Sequence, residues 1–201
     1  MIVIGITGPT GAGKTTALDA LKSLGAAVID CDAVYHDLLA SSRPMLDELR
    51  ARYGDGIFDE TGALDRKALG AIVFSDEQAL LDLNSITHRY VSEEVDRRIA
   101  RAREEGRPAV AVDAIALLES DLAARCRCTV AVTAPDEVRV GRIMARDGIS
   151  EEYARMRIAA QKSCSYFEEH CDHTLCNAGN DRQAFFDEAV TMFQTIIAQG
   201  G

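Results

Sequence analysis

A phosphate-binding pattern lies near the start of the chain, where residues 8–15 read G-P-T-G-A-G-K-T and fit the spacing G-x-x-x-x-G-K-[ST]. Glycines let such a loop curl with its backbone N–H groups pointing inward, where they bind phosphate oxygens. Lys14 carries a compact positive charge for the β- and γ-phosphates, and the hydroxyl of Thr15 is a suitable Mg²⁺ ligand. We therefore predict that ATP contacts Gly11, Ala12, Gly13, Lys14, Thr15 and Thr16, and we also assign Lys14 to catalysis.

The segments on either side of this loop favour a true nucleotide site over a chance match. An apolar run at residues 2–6 precedes the loop, as a buried strand would. Apolar residues follow it at helical spacing, at Ala17, Leu18, Leu21 and Leu24. A helix that begins at the loop directs the positive end of its dipole toward the bound anion.

Two acidic residues follow the next apolar run, which spans residues 26–29 and reads as a short buried strand. They are Asp30 and Asp32, and a helix is predicted to begin near Ala33. Because ligands bind at the carboxyl ends of parallel strands, we expect both acids at the same edge as the phosphate loop. We assign Asp32 to catalysis, with a helix N-cap as a compatible alternative. The alternatives for Asp30 are a catalytic or metal role and hydrogen bonding to the loop.

A third acid, Asp113, ends the apolar run at residues 109–113, which predicts another buried strand. It would lie at the same edge, either at the hydration shell of Mg²⁺ or as an ordinary turn residue. Further strands are predicted at residues 127–133 and 173–176, and a final helix at about 181–198 presents an apolar stripe to the core.

These elements predict an α/β fold of the P-loop NTPase type, with a five-stranded parallel sheet flanked by helices, in a single domain over residues 1–201. Its core would comprise residues 1–33, 109–138 and 172–201. Helical patterns at 44–53, 65–73 and 76–103 make residues 34–108 far longer than a normal connection. We interpret this stretch as an acceptor-binding region, and residues 139–171 as a helical lid.

The predicted lid contains several arginines, which indicate that it binds the phosphate groups of ATP. Arg142 and Arg146 share one helix face, and two more arginines follow after a helix break at Asp147-Gly148. Arginine stays charged and stabilises the charge of phosphoryl transfer, so we assign Arg142 to catalysis and both residues to ATP binding. The alternative is a solvated surface on which Arg146 pairs with Asp147. Asn177, in the polar loop after the fifth strand, is predicted to lie near the nucleotide base.

The charge and composition exclude several classes of protein. The chain has 22 Lys and Arg against 32 Asp and Glu, a net charge of −10, which argues against nucleic acid as a main partner. No run approaches the about 18 to 20 apolar residues of a membrane span, so we expect a cytoplasmic protein and no membrane partner. The six cysteines are expected as free thiols, although the grouping of Cys164, His170, Cys171, His173 and Cys176 leaves zinc as an alternative.

Together these segments resemble the dephospho-CoA kinase family along nearly the whole chain. Residues 7–16 match its opening pattern T-G-G-I-G-S-G-K-S-T, and residues 25–32 match G-x-x-V-I-D-A-D. Residues 62–69 resemble its CoA-binding region, and residues 142–147 and 157–161 resemble its lid. The second match separates this family from other small P-loop kinases.

The resemblance implies an activity and a set of contacts. The enzyme would phosphorylate the ribose 3′-hydroxyl of dephospho-CoA with ATP and Mg²⁺, giving CoA and ADP in the last step of coenzyme A biosynthesis. Asp32 would be the base for that hydroxyl, and the substrate would contact Asp32, Asp65, Arg66, His88 and Asp113. We expect a monomer.

Two departures from the family keep other functions open. The family has proline where this chain has Arg89, in L-N-x-I-x-H-P, and where it has Ile115, in D-x-P-L-L-F-E. One rival is a nucleoside or nucleotide kinase, which a panel of acceptors would reveal. The other is a nucleotide sensor that binds ATP and transfers no phosphoryl group.

Overall fold

The computed structural model describes residues 1–179 and 181–200. Its five strands form one sheet in the order β2-β3-β1-β4-β5, and the pairings of β1 with β3, β1 with β4, and β4 with β5 are parallel. This confirms the predicted five-stranded parallel sheet. The strands are β1 (Ile2–Thr7), β2 (Ala27–Asp30), β3 (Ala109–Asp113), β4 (Cys128–Thr133) and β5 (His173–Cys176).

Helices connect the strands, and most of residues 31–104 are helical. The chain divides into two compact units, Met1–Ile29 with Ile99–Gly201, and Asp30–Arg98. The functional division into core, acceptor-binding region and lid stays a prediction. The helices are α1 (Lys14–Ser23), α2 (Cys31–Ser41), α3 (Arg43–Tyr53), α4 (Arg66–Val73), α5 (Glu77–Glu104), α6 (Asp136–Asp147), α7 (Glu151–Ala159), α8 (Cys164–His170) and α9 (Arg182–Gln199).

The core of the larger unit fixes the strand from which the phosphate loop emerges. All six residues of β1 are buried, as expected for a central parallel strand covered by helices on both faces. Leu21 of α1 and Phe193 of α9 lie in the same buried cluster as Ile4 and Ile6. The carboxyl end of β1 is therefore anchored on a tightly packed core. No helix among the residues described is long and apolar enough to cross a membrane.

The boundary between β2 and α2 differs from the prediction. The helix begins at Cys31 rather than near Ala33, and its N-cap is Asp30, whose carboxylate accepts a hydrogen bond from Ala33 N at 3.0 Å. The N-cap alternative for Asp32 is therefore wrong. Asp30 has the extended backbone that a cap requires, with φ −86° and ψ 110°, whereas Asp32 lies exposed in the first helical turn.

Helix α5 continues without a break through Arg89, where the family pattern has proline. The Arg89 guanidinium binds Glu48 of α3, and the hydroxyl of Tyr90 donates to the same carboxylate at 3.0 Å. An arginine has a backbone N–H and no ring, so the helical hydrogen bond at this position is preserved. At this departure from the family, the helix is therefore continuous.

We expect Arg89→Pro to lower the free energy of unfolding by about 3 kcal/mol, since proline removes a hydrogen bond and clashes inside a helix. Urea unfolding followed by circular dichroism measures the change. Arg89→Ala is the matched control, because alanine keeps the backbone N–H and removes only the contacts of an exposed side chain. Equal stability of the two variants would contradict the expectation.

Candidate active site

The phosphate loop runs from Gly8 to Gly13, between β1 and α1. Gly8 (φ 139°) and Gly13 (φ 103°) adopt backbone conformations that residues with a Cβ rarely take. A Cβ on Gly8 would collide with the carbonyl of Val132, and one on Gly13 would collide with the side-chain amide of Asn177. Both glycines are therefore required for the close approach of the loop to the carboxyl end of the sheet.

Lys14 and Thr15 open α1 at the end of this loop. The ammonium group of Lys14 donates to Gly8 O at 3.0 Å, so the side chain lies back across the loop. Thr15 is exposed and Thr16 is buried. The loop thus combines the positive end of a helix dipole with a lysine, which is the arrangement that binds phosphate groups.

Arg142 extends from α6 to the same loop. Its guanidinium donates to Gly11 O and Ala12 O, both at 3.3 Å, to Asn177 Oδ1 at 3.0 Å and to Gly179 O at 2.8 Å. These acceptors are all neutral oxygens, so the hydrogen bonds hold the group in place without cancelling its charge. Partial burial lowers the pKa of Arg142, but arginine remains charged at neutral pH. The loop therefore has a second fixed positive charge for an anion.

Asn177 supports the loop from the end of β5. It is buried, its amide Nδ2 donates to Ala12 O at 3.0 Å, and its backbone N–H donates to Thr133 O at 2.7 Å. The same amide accepts from Arg142, so it orients the guanidinium as well as the loop. Its contact with ATP stays a prediction.

Two residues outside the predicted site also hold the loop. Arg139 of α6 is only 1% exposed, and its Nε donates to Thr10 O at 2.9 Å. Gln161, which follows α7, accepts from Thr10 N and donates to Thr10 Oγ1, both at 3.0 Å. The sequence held a signal for Arg139, because it lies three residues before Arg142 and so shares its helix face. Gln161 belongs to the segment that resembles the family's lid.

Arg146 and Arg157, in the segment predicted as a lid, form ion pairs, and that of Arg146 with Asp147 is the one that the alternative of a solvated surface predicts. Arg146 donates to both carboxylate oxygens of Asp147, at 2.7 and 2.9 Å, and Arg157 donates to Asp147 Oδ2 at 2.6 Å. Hydrogen bonds from Arg146, then from Arg157, lower the pKa of Asp147 to about 2, so it stays ionised at neutral pH. The charge of Arg146 is thus paired in this structure, and its contact with ATP stays a prediction.

Asp113 provides a carboxylate on the strand beside β1. It ends β3 in register with Ile6, just before the phosphate loop begins. A carboxylate there and the exposed hydroxyl of Thr15 are hard oxygen ligands, the type that Mg²⁺ prefers.

Across residues 1–179 and 181–200, no three His, Cys, Asp or Glu side chains converge as metal ligands. The cysteine and histidine grouping considered for zinc therefore forms no such site there.

The smaller unit, residues 30–98, contains the other predicted substrate contacts. Asp65 caps α4 by accepting from Lys67 N at 2.8 Å and Ala68 N at 3.1 Å. The guanidinium of Arg66 lies 2.9 Å from His36 Nδ1 and borders a mostly apolar cavity of about 170 Å³. His88 is exposed on α5. Substrate binding by these residues, and catalysis by Asp32, stay predictions.

Comparison with known proteins gives one consistent result. Residues 2–183 match the family model described as dephospho-CoA kinase. The chain is 38% identical over 180 residues to the dephospho-CoA kinase of Symbiobacterium thermophilum, which covers 90% of this chain and 75% of that protein. A crystal structure of a Thermus thermophilus protein superposes with a TM-score of 0.79 at 31% identity, and the dephospho-CoA kinase of Campylobacter jejuni with 0.62 at 25%; each comparison covers 96% of both chains. The chain therefore belongs to the dephospho-CoA kinase family.

Proposed function

We propose that the protein transfers the γ-phosphoryl group of ATP to the ribose 3′-hydroxyl of dephospho-CoA. The products are CoA and ADP, and the reaction is the last step of coenzyme A biosynthesis. The observation that carries the proposal is the phosphate loop with Lys14 and Arg142 directed to it, in a chain that matches the family over residues 2–183.

Fixed charges provide most of the catalysis in this proposal. The loop N–H groups and Lys14 hold the β- and γ-phosphates, and Arg142 stabilises the charge on the transferring group. Arg146 assists Arg142 after leaving its pairing with Asp147. Asn177 contacts the nucleotide from the loop after β5. Closure of the lid excludes water and so suppresses idle hydrolysis of ATP.

Asp32 accepts or orients the proton of the acceptor hydroxyl, which makes that oxygen a better nucleophile. Asp65, Arg66, His88 and Asp113 position dephospho-CoA. The exposed His88 and the cavity bordered by Arg66 in residues 30–98 support this assignment, because a large, partly apolar acceptor needs both polar and apolar contacts.

Thr15 holds Mg²⁺ in this proposal, and the carboxylate of Asp113, at the end of the strand beside β1, is suited to its hydration shell. When bound, Mg²⁺ neutralises charge on the β- and γ-phosphate oxygens. The exposed hydroxyl at the first turn of α1 supports the choice of Thr15. We further propose that the enzyme is a cytoplasmic monomer, and light scattering of the purified chain tests the monomer.

An ADP-release assay with Mg-ATP, with and without dephospho-CoA, tests the proposed reaction. We expect ADP release that requires dephospho-CoA, and a product one phosphate group heavier by mass spectrometry. Transfer to a nucleoside or nucleotide in an acceptor panel, with none to dephospho-CoA, would favour the first rival. ATP binding without any acceptor-dependent ADP would favour a nucleotide sensor.

A further inference from the structure

Thr10 is held from outside the phosphate loop by all three of its polar groups. Its backbone N–H and its hydroxyl bond to the side-chain amide of Gln161, and its carbonyl accepts from Arg139. The three distances lie between 2.9 and 3.0 Å. The two partners lie 129 and 151 residues away in the sequence, so this is a tertiary contact that the loop cannot make alone.

These bonds determine which part of the loop is available to phosphate. Pro9 has no N–H, and the N–H of Thr10 is used by Gln161. The carbonyl of Pro9 accepts from the N–H of Ala12, in the second half of the loop, at 3.3 Å. The first half of the loop therefore gives few donors to a phosphate. The contacts of Arg139 and Gln161 with Thr10 hold the shape of this half, so that the backbone donors near α1 keep their positions.

Arg139 supports the loop without being a charge for the nucleotide. Its NH1 donates to the carboxylate of Asp136 at 2.8 Å, and its NH2 donates to Gln161 Oε1 at 3.3 Å. The side chain is almost completely buried, and its charge is paired with Asp136. A Cβ added to Gly11 would lie 3.1 Å from Arg139 O, which shows how closely the loop rests on α6. Arg142 differs, because its hydrogen-bond partners among the described residues are all neutral oxygens.

We propose that Gln161 is a positioning residue, which fixes the ATP-binding shape of the phosphate loop through Thr10. This inference rests on the proposed function, because it assumes that the loop binds the phosphates of ATP. A side-chain amide has both groups that this contact uses, because its oxygen accepts from Thr10 N and its nitrogen donates to Thr10 Oγ1. Since Gln161 follows α7 directly, the same bonds connect the lid to the loop.

Three variants test the proposal: Gln161→Ala, Gln161→Met and Thr10→Val. Methionine has nearly the size and shape of glutamine but no strong hydrogen-bonding group, so it separates packing from hydrogen bonding. We expect both Gln161 variants to weaken binding of a non-hydrolysable ATP analogue about tenfold, with the KM for ATP rising in parallel. The KM for dephospho-CoA should stay within about twofold of the wild-type value.

Thr10→Val removes only the hydroxyl and should weaken ATP binding about threefold. In the Gln161→Ala background the same change should have no further effect, because the hydroxyl has already lost its partner. Gln183→Ala is the matched control, since this glutamine is exposed on α9 and its side-chain amide donates to Asp187 of the same helix. Melting temperatures and circular dichroism verify that each variant is folded.

Several results would overturn the proposal. If Gln161→Met bound the ATP analogue as tightly as the wild-type protein does, the role of Gln161 would be packing and not hydrogen bonding. Additive effects of the Gln161→Ala and Thr10→Val changes would mean that Gln161 does not act through Thr10. If Gln161→Ala fails to fold, the Met and Val variants give the same decision. Absence of dephospho-CoA phosphorylation by the wild-type enzyme would reject the proposed function instead, and analogue binding would still test the role of Gln161.

Discussion

Asp32→Asn is expected to bind ATP normally while kcat falls about 10²- to 10⁴-fold. Asparagine has the shape of aspartate but does not accept a proton, so it removes the proposed base and little else. The fold should tolerate the change, because Asp32 is exposed and the N-cap of α2 is Asp30. Steady-state kinetics at saturating substrates measure kcat, and calorimetry with a non-hydrolysable analogue measures ATP binding.

Two further variants decide which carboxylate near β2 is the base. Asp30→Asn should retain the helix cap, since asparagine caps as well as aspartate, and it should leave most of the turnover. Asp37→Asn, on the same helix, removes an exposed partner of Arg98 and should leave kcat unchanged. Full turnover by Asp32→Asn would reject the assignment, and a large loss confined to Asp30→Asn would transfer it to Asp30.

The strands and the phosphate loop were predictable because each is encoded locally. Buried parallel strands appear as short apolar runs, such as residues 109–113, and the loop combines glycines with Lys14 at fixed spacing. The cap of α2 was assigned less well. Asp30 and Asp32 both suit an N-cap by residue type, and only the backbone angles of the folded chain distinguish them.

The contacts that shape the site were not predictable in the same way. Arg139 and Gln161 both reach Thr10 across more than a hundred residues, and no local pattern encodes such a contact. A buried arginine is also rare enough that an Arg-rich helix suggests a solvated face first. Side chains that position a loop thus become visible only when the tertiary structure brings distant segments together.

The overall acidity of the chain does not oppose binding of a triphosphate. The net charge is −10, but Lys14 and Arg142 both donate hydrogen bonds to the phosphate loop, and α1 directs its positive dipole end there. At physiological ionic strength, interactions between exposed charges more than about 8 Å apart are largely screened, so distant acids contribute little. Fixed local charges therefore decide what this loop binds.

Arg142→Ala should consequently lower kcat by about 10³-fold, the scale expected for an arginine that stabilises the transferring phosphoryl group. Arg142→Lys should recover little of this loss, because lysine has a point charge and lacks the planar fork that reaches several acceptors at once. Binding of ATP should weaken less than turnover falls, since the charge on the phosphoryl group grows toward the transition state. Single-turnover kinetics with saturating ATP and dephospho-CoA measure the chemical step, and calorimetry with a non-hydrolysable analogue measures ATP binding.

Controls for this prediction use other arginines of the larger unit. Arg182→Ala removes an exposed ion pair with Asp19 and should leave kcat unchanged. Arg146→Ala should lower kcat less than Arg142→Ala does. Arg146 must leave Asp147 before it can assist, whereas Arg142 already donates to the loop carbonyl of Gly11. Wild-type turnover by Arg142→Ala, with an unchanged melting temperature, would contradict this prediction. The hydrogen bonds of Arg142 to Gly11 and Ala12 would then only hold the conformation of the loop, and another cation would have to stabilise the transferring phosphoryl group.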